Sequence, residues 1–245
     1  MHHYQTDQKI MVISDLHIQS DQDRVLDEAM ALIGHYKTQL AALYIIGDLF
    51  EYWAGSGCEK RYAKALSFLS ELRDFFPVFF MPGNRDFLIS SRICCQYRFL
   101  KIPDPTIITH GDRVVLLTHG DQLCTHDRSY QWMRFFLQSR LVKTLARSFG
   151  GFLTDLFAQR LRSISAWSTK QKPKMVLVAN PMAIDHWLSR YDADAMIYGH
   201  VHKLAHYRSA QNPEKPVFVL DSWEHQVNFC MIDAQGISLA GNLNN

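Results

Sequence analysis

The 245-residue chain carries 26 Lys and Arg against 24 Asp and Glu, a formal charge of +2 that is too small to imply nucleic-acid binding by itself. Hydrophobic residues make up 47% of it and the mean hydropathy is −0.15, which suits one globular α/β domain with room for an insertion. No apolar run reaches the roughly 18 residues of a spanning helix, and the opening segment MHHYQTDQKI lacks the apolar stretch of a secretory signal.

Five apolar runs predict strands, and each ends in a polar motif. IMVI (10–13) leads into Ser14-Asp15-Leu16-His17, and LYII (43–46) into Gly47-Asp48-Leu49. VFFM (78–81) precedes Gly83-Asn84-Arg85-Asp86, VVLL (114–117) precedes Thr118-His119-Gly120-Asp121, and AMIY (195–198) precedes Gly199-His200-Val201-His202. Runs this apolar suit strands buried on both faces. Between the first two, Asp21 or Asp23 is expected to cap a helix whose apolar face is Leu26, Ala29, Met30, Ile33, Tyr36 and Leu40. Tyr62, Ala65, Leu66, Leu69 and Leu72 repeat the helical spacing. Residues 106–118 read as a hairpin turning at His110-Gly111-Asp112. Asn180-Pro181 reads as N-cap and first residue of a helix through Trp187. His2 and His3 are expected in a mobile terminus, and His35, His186 and His206 on surfaces or helices. His225, in DSWEH, is a candidate partner for a ligand side chain. Cys58, Cys94, Cys95, Cys124 and Cys230 lack metal spacing and are expected as reduced thiols of a cytoplasmic protein.

Motif spacing locates the insertion. Asp15, Asp48, Asn84 and His119 follow one another at intervals of 33, 36 and 35 residues, each about one β-α unit, but His200 lies 81 residues beyond His119. The excess predicts a helical insertion over 125–179, with a core of 1–124 and 180–245. Its stretch 134–174 holds nine Lys and Arg and a single acid, Asp155, a local charge of +8 that leaves −6 for the rest. Its aromatic and aliphatic residues, among them Phe135, Phe136, Phe149, Phe152 and Phe157, imply packing on the core or an acyl-chain groove between cap and core.

Two residues apart at a strand end, Asp15 and His17 are expected on one side, and so are His200 and His202. Asp48, after a flexible glycine, is the candidate to bridge two cations. With Asn84 and His119 these make seven ligands: Asp15, His17, Asp48, Asn84, His119, His200 and His202. The mixed oxygen and imidazole set favours Mn²⁺, Fe or Zn²⁺. Asp86 is a candidate acceptor that orients Arg85 or a ligand histidine.

The order D-x-H, GD, GN-x-D, HGD, GH-x-H resembles the calcineurin-like metallophosphoesterase superfamily. That resemblance implies an α/β fold, a layered β-sandwich flanked by helices with an inserted helical cap, and a two-metal hydrolase. The longer stretches SDLHI, YIIGDLFEYWAG, PGNRDFL, THGDQLCTHDRSYQ and GHVHK resemble the branch that hydrolyses the pyrophosphate of a UDP-linked diacylated glucosamine, with two Mn²⁺ per chain. Most of the superfamily has His where Arg85 stands. Arg cannot be a general acid near neutral pH, but its guanidinium binds phosphate oxygens, and a phosphate leaving group needs little protonation. The substitution favours pyrophosphate cleavage over phosphomonoester hydrolysis. By the same resemblance the catalytic residues are Asp48, Asn84, Arg85 and His200, and the substrate contacts are Asn84, Arg85, Asp127, Arg162, Ser165, Thr169, Lys172 and His200. Thr169 and His126 depart from the branch, which carries Asn and Asp there. The implied partners are a glycolipid nucleotide and an anionic membrane, with no nucleic acid or protein partner. The implied location is the cytoplasmic face of a bacterial inner membrane. The alternatives are a pyrophosphatase or phosphodiesterase acting on a soluble nucleotide, and a scaffold of the same fold without metal; retention of all seven ligands argues against the scaffold.

Overall fold

The computed structural model describes residues 2–53, 57–127, 131–132 and 178–241. Twelve strands among them form two sheets. One has the order β1 (His2–Tyr4), β6 (Thr106–His110), β7 (Arg113–Thr118), β8 (Ala195–Tyr198), β10 (Pro216–Val219), β9 (Ala205–Arg208). The other runs β12 (Gly236–Gly241), β11 (Asn228–Asp233), β2 (Lys9–Ile13), β3 (Leu40–Ile46), β4 (Val78–Met81), β5 (Leu100–Lys101).

The alternation of each strand explains the layering. In β2, Ile10 and Val12 point into the inter-sheet core, where they join Tyr44 and Ile46 of β3 and Val115, Leu117 and Ile197 of the facing sheet. Met11 and Ile13 point the other way, onto Leu26, Ala29 and Ile33 of α1 (Arg24–Tyr36) and Leu66 and Leu69 of α3 (Ala63–Leu72). Short helices α2 (Gly57–Arg61) and α4 (Ser91–Gln96) contribute Cys58 and Cys94 to that layer. On the far face, Leu116, Met196 and Tyr198 pack under Ile184 and Leu188 of α5 (Pro181–Arg190). Helices thus cover both outer faces of a two-sheet sandwich. All five expected runs are strands, and both expected N-caps form: Asp23 accepts from Val25 N and Asn180 from Met182 N, at 3.0 Å each.

Four details differ from expectation. Leu40 opens β3 rather than ending α1, which stops at Tyr36. His2 belongs to β1, which pairs in parallel with β6, and its Nδ1 meets the Tyr44 hydroxyl at 2.7 Å. His110 is the last residue of β6 rather than part of the turn, and its buried ring donates to the Gln8 carbonyl at 2.7 Å. Ser14–His17 and Gly199–His202 lie beyond β2 and β8, so strand pleat does not set their directions. All five cysteines are free thiols. Apart from its ends, the expected cap at 125–179 lies outside the described residues, and so do Arg162, Ser165, Thr169 and Lys172.

Candidate metal centre

β2, β3 and β4 are mutually parallel, as are β7 and β8, and each of these five strands ends where its motif begins. The carboxyl ends of the two sheets meet at one rim, and backbone hydrogen bonds lace the motifs together there. Asp15 N donates to Gly47 O at 3.1 Å, His17 N to Asp48 O at 3.0 Å, and Gly199 N to His119 O at 3.0 Å. Side chains cross between sheets as well. His200 N donates to Asp15 Oδ2 at 2.8 Å, and His119 Nδ1 donates to Ile46 O at 3.2 Å.

Left-handed backbone turns aim the ligands. Asp15, His17, Asp48, His200 and His202 have φ of 53°, 53°, 50°, 69° and 47°. Asp and His tolerate this region better than most residues, yet each such residue still costs of order 1–2 kcal/mol. Clustering of that strain at one rim marks a functional site.

Glycines make the close approach possible. A Cβ on Gly47 would stand 2.1 Å from His119 Nδ1, one on Gly83 2.1 Å from Asp48 Oδ1, and one on Gly199 2.1 Å from Asp15 Oδ2. These three glycines therefore each make room for a ligand delivered by another motif.

Two triplets of donor atoms result among the described residues: Asp15, His17 and His202, and Asp15, Asp48 and His119, with the atoms of each triplet within 4.8 Å of one another. Asp15 belongs to both. His17 Nε2 and His202 Nε2 approach to 3.1 Å and lie 3.8 and 3.5 Å from Asp15 Oδ1. That oxygen is buried and accepts no hydrogen bond. Asn84 Oδ1 is 3.0 Å from His119 Nε2, and the His200 ring packs 5.0 Å from that of His119. A buried carboxylate oxygen without a donor, facing two imidazole nitrogens, fits a divalent cation.

The electrostatics agree. Burial, with the Arg85 charge next, lowers His17 to about 3, and burial beside His119 lowers His200 to about 4, so both rings are neutral near pH 7. Burial alone would raise Asp15; the close approach of His202 and the surrounding imidazoles outweigh it and hold this carboxyl below its usual range. Burial and the nearby Asp15 charge raise Asp48. His119 is raised to about 9: burial opposes its charge, but Asp48, Asp15, Asp121 and Asp104 favour it more. His119 must therefore shed a proton to become a ligand, and its Nδ1–H bond to Ile46 O then leaves Nε2 as the donor atom.

Around these groups stand residues that support them. Asp86 accepts from Leu49 N and Gly83 N at 2.8 Å each, so it staples two motif loops rather than orienting Arg85 or a ligand histidine. Arg85 N donates to Asp48 Oδ1 at 2.9 Å, and its guanidinium Nε lies 3.7 Å from Asp48 Oδ2. Arg85 also pairs with Glu51 at 2.5 Å, a residue the motif reading missed although it stands in GDLFEYW. His225 is held by Asp221 at 2.9 Å with its ring 6.3 Å from His202. Asp127 is buried, and Gln131 N donates to its carbonyl at 2.9 Å. The two ends of 125–179 adjoin, since Asn180 Nδ2 donates to Thr125 Oγ1 at 2.7 Å.

Comparison with known proteins places this geometry. Residues 8–204 match the calcineurin-like phosphoesterase family. A protein of Pseudomonas fluorescens named UDP-2,3-diacylglucosamine hydrolase is 30% identical over 94% of both chains. One of the same name from Aromatoleum aromaticum is 33% identical over 94% of this chain and 95% of its own. Among solved structures, Zn²⁺-complexed Vps29 from Entamoeba histolytica covers 97% of this chain and 94% of its own with a TM-score of 0.51. At 13% identity that likeness concerns the fold alone.

Gly83→Ala tests the interlocking directly. The added methyl displaces Asp48, so divalent-metal affinity measured by titration calorimetry should fall by about 10–100-fold while the circular dichroism spectrum is retained. Wild-type affinity in this variant would contradict the packing described.

Proposed function

The chain belongs to the calcineurin-like phosphoesterase family, and we propose that this hydrolase cleaves the pyrophosphate bond of UDP-2,3-diacylglucosamine in lipid A biosynthesis. Water attacks the α-phosphorus, and the products are UMP and 2,3-diacylglucosamine 1-phosphate. The observation that carries the reading is Arg85, whose guanidinium lies over Asp48 at the rim where the family pattern more often has His. Likeness over 94% of the chain to relatives bearing that enzyme name supports the same substrate.

In this reading Asp15, His17, Asp48, Asn84, His119, His200 and His202 hold two divalent ions, with Mn²⁺ the best match to the donor set. Bound there, the ions supply Lewis acidity toward a phosphoryl oxygen and lower the pKa of water. The protein's own contribution is positional. Asp15 is held anionic, His17 and His200 offer neutral nitrogens, and the interlocked glycines fix the spacing of the ligands. Arg85 neutralises charge developing on the diphosphate, and the departing sugar phosphate leaves as a stable anion without a proton donor. Asp127, with Arg162, Ser165, Thr169 and Lys172 of the segment 125–179, contacts the sugar and phosphates.

That segment also supplies the membrane attachment. The nine basic residues between 134 and 174 give this segment the charge to attract an anionic bilayer, each worth about 1 kcal/mol near the surface, and its Phe and Leu content suits acyl chains. No described helix is long and apolar enough to cross a membrane; the attachment we propose is peripheral, at the cytoplasmic face of the inner membrane.

Two experiments test these statements. With Mn²⁺ and UDP-2,3-diacylglucosamine the protein should release UMP and leave common dinucleotides uncleaved; Arg85→Ala should lower kcat about 10²–10³-fold with metal content unchanged. An Arg85→Ala enzyme of full activity, or preference for the dinucleotides, would overturn the assignment. On anionic liposomes at low salt, the protein should float with the vesicles and be released by about 0.5 M salt. Failure to float even with substrate lipid present removes the membrane part.

A further inference from the structure

Directly after the first ligand motif, strand pairing resumes briefly. Ile18 and Phe50 form an isolated parallel bridge, Ile18 N donates to Leu49 O at 3.0 Å, and Glu51 N donates to Ile18 O at 3.0 Å. On the other side, Trp53 N donates to Arg85 O at 3.1 Å. Glu51 is therefore mounted on backbone fastened to both neighbouring motifs, the one carrying His17 and the one carrying Arg85.

Its carboxylate serves both. Oε1 lies 2.5 Å from Arg85 Nη1, and Oε2 lies 3.6 Å from His17 Nδ1. His17 Nδ1 is buried and lacks a hydrogen-bond partner. When His17 gives its Nε2 lone pair to a cation, its proton must sit on Nδ1 and needs an acceptor, a role usually filled by a carboxylate or carbonyl. A shift of under about 1 Å brings Glu51 Oε2 within normal hydrogen-bond distance. The second oxygen meanwhile restrains the guanidinium. Arg85 Nε stands 3.7 Å from Asp48 Oδ2, and a guanidinium freed from Glu51 would pair with Asp48 and compete with a cation for its oxygen.

We propose that Glu51 is a positioning residue that sets His17 as a metal ligand and holds Arg85 off Asp48, leaving its outward N–H groups for the substrate's phosphate. It acts through His17 and Arg85 rather than on the reacting atoms. This inference rests on the reading of the rim as a metal-dependent diphosphatase.

The test combines Mn²⁺ titration calorimetry with a double-mutant cycle. Glu51→Ala should weaken Mn²⁺ binding by about 10–100-fold, an effect independent of turnover. At saturating Mn²⁺ its kcat on UDP-2,3-diacylglucosamine should fall by about 10–100-fold in the wild-type background and by less than about threefold in an Arg85→Ala background, because residues that act as a unit are non-additive. Wild-type Mn²⁺ affinity, or rate losses that multiply across the cycle, overturns the proposal. Glu51→Gln keeps the side-chain volume and carries the same test should the Ala variant be insoluble. A wild-type protein that binds Mn²⁺ but leaves the lipid uncleaved contradicts the functional reading instead. A wild-type enzyme that cleaves it while Glu51→Ala binds Mn²⁺ normally contradicts only this inference.

Discussion

The carboxylate of Asp15, buried where the two sheets meet, is the constraint around which the rim is arranged. Its Oδ2 accepts from the Ser14 hydroxyl at 2.7 Å and from His200 N at 2.8 Å, and its carbonyl accepts from Trp223 N at 3.1 Å. These contacts tie the motif after β2 to the one after β8 and to the loop after β10. The other oxygen, Oδ1, has no donor and faces two imidazoles. An anion buried this way is unfavourable by several kcal/mol unless compensated, and the facing imidazoles are placed to hold a compensating cation beside it. Gly199 is part of the same arrangement, since a side chain there would strike Asp15 Oδ2.

Strain follows from that convergence. Donors delivered from five strand ends cannot all reach one volume with extended backbone, and five of the ligand residues adopt left-handed φ instead. The inter-sheet core and the two helical layers hold the motif ends rigid enough for such turns to persist. The fold thus stores unfavourable local geometry where the chemistry needs it, and the packing of Ile10, Val12, Leu117 and Ile197 stabilises it from below.

The layout was largely legible in the sequence, because a run such as IMVI, apolar at every position, only fits a strand covered on both faces, and a polar motif at its end only fits the sheet's edge. The two capped helices were legible from Asp23 and from Asn180-Pro181 for similar local reasons. What escaped was non-local. The common aim of Asp15 and His17 was expected from strand pleat, but it arises from backbone turns that no residue spacing encodes. Gly47 looked like a flexible turn residue, whereas it, Gly83 and Gly199 serve contacts with motifs tens of residues away. Glu51 was hidden among aromatic neighbours, and its role emerges only when the bridge at Ile18 and Phe50 sets it between two other motifs. His2 looked like a terminal residue; its pairing depends on β6, over a hundred residues later.

The central claim is that strand ends from both sheets form one cation-binding rim, and anomalous diffraction from crystals soaked in Mn²⁺ tests it most directly. The account predicts manganese peaks bounded by Asp15, His17 and His202 and by Asp48, Asn84 and His119. Manganese bound elsewhere, or a rim whose seven side chains take up none at millimolar concentration, would contradict it.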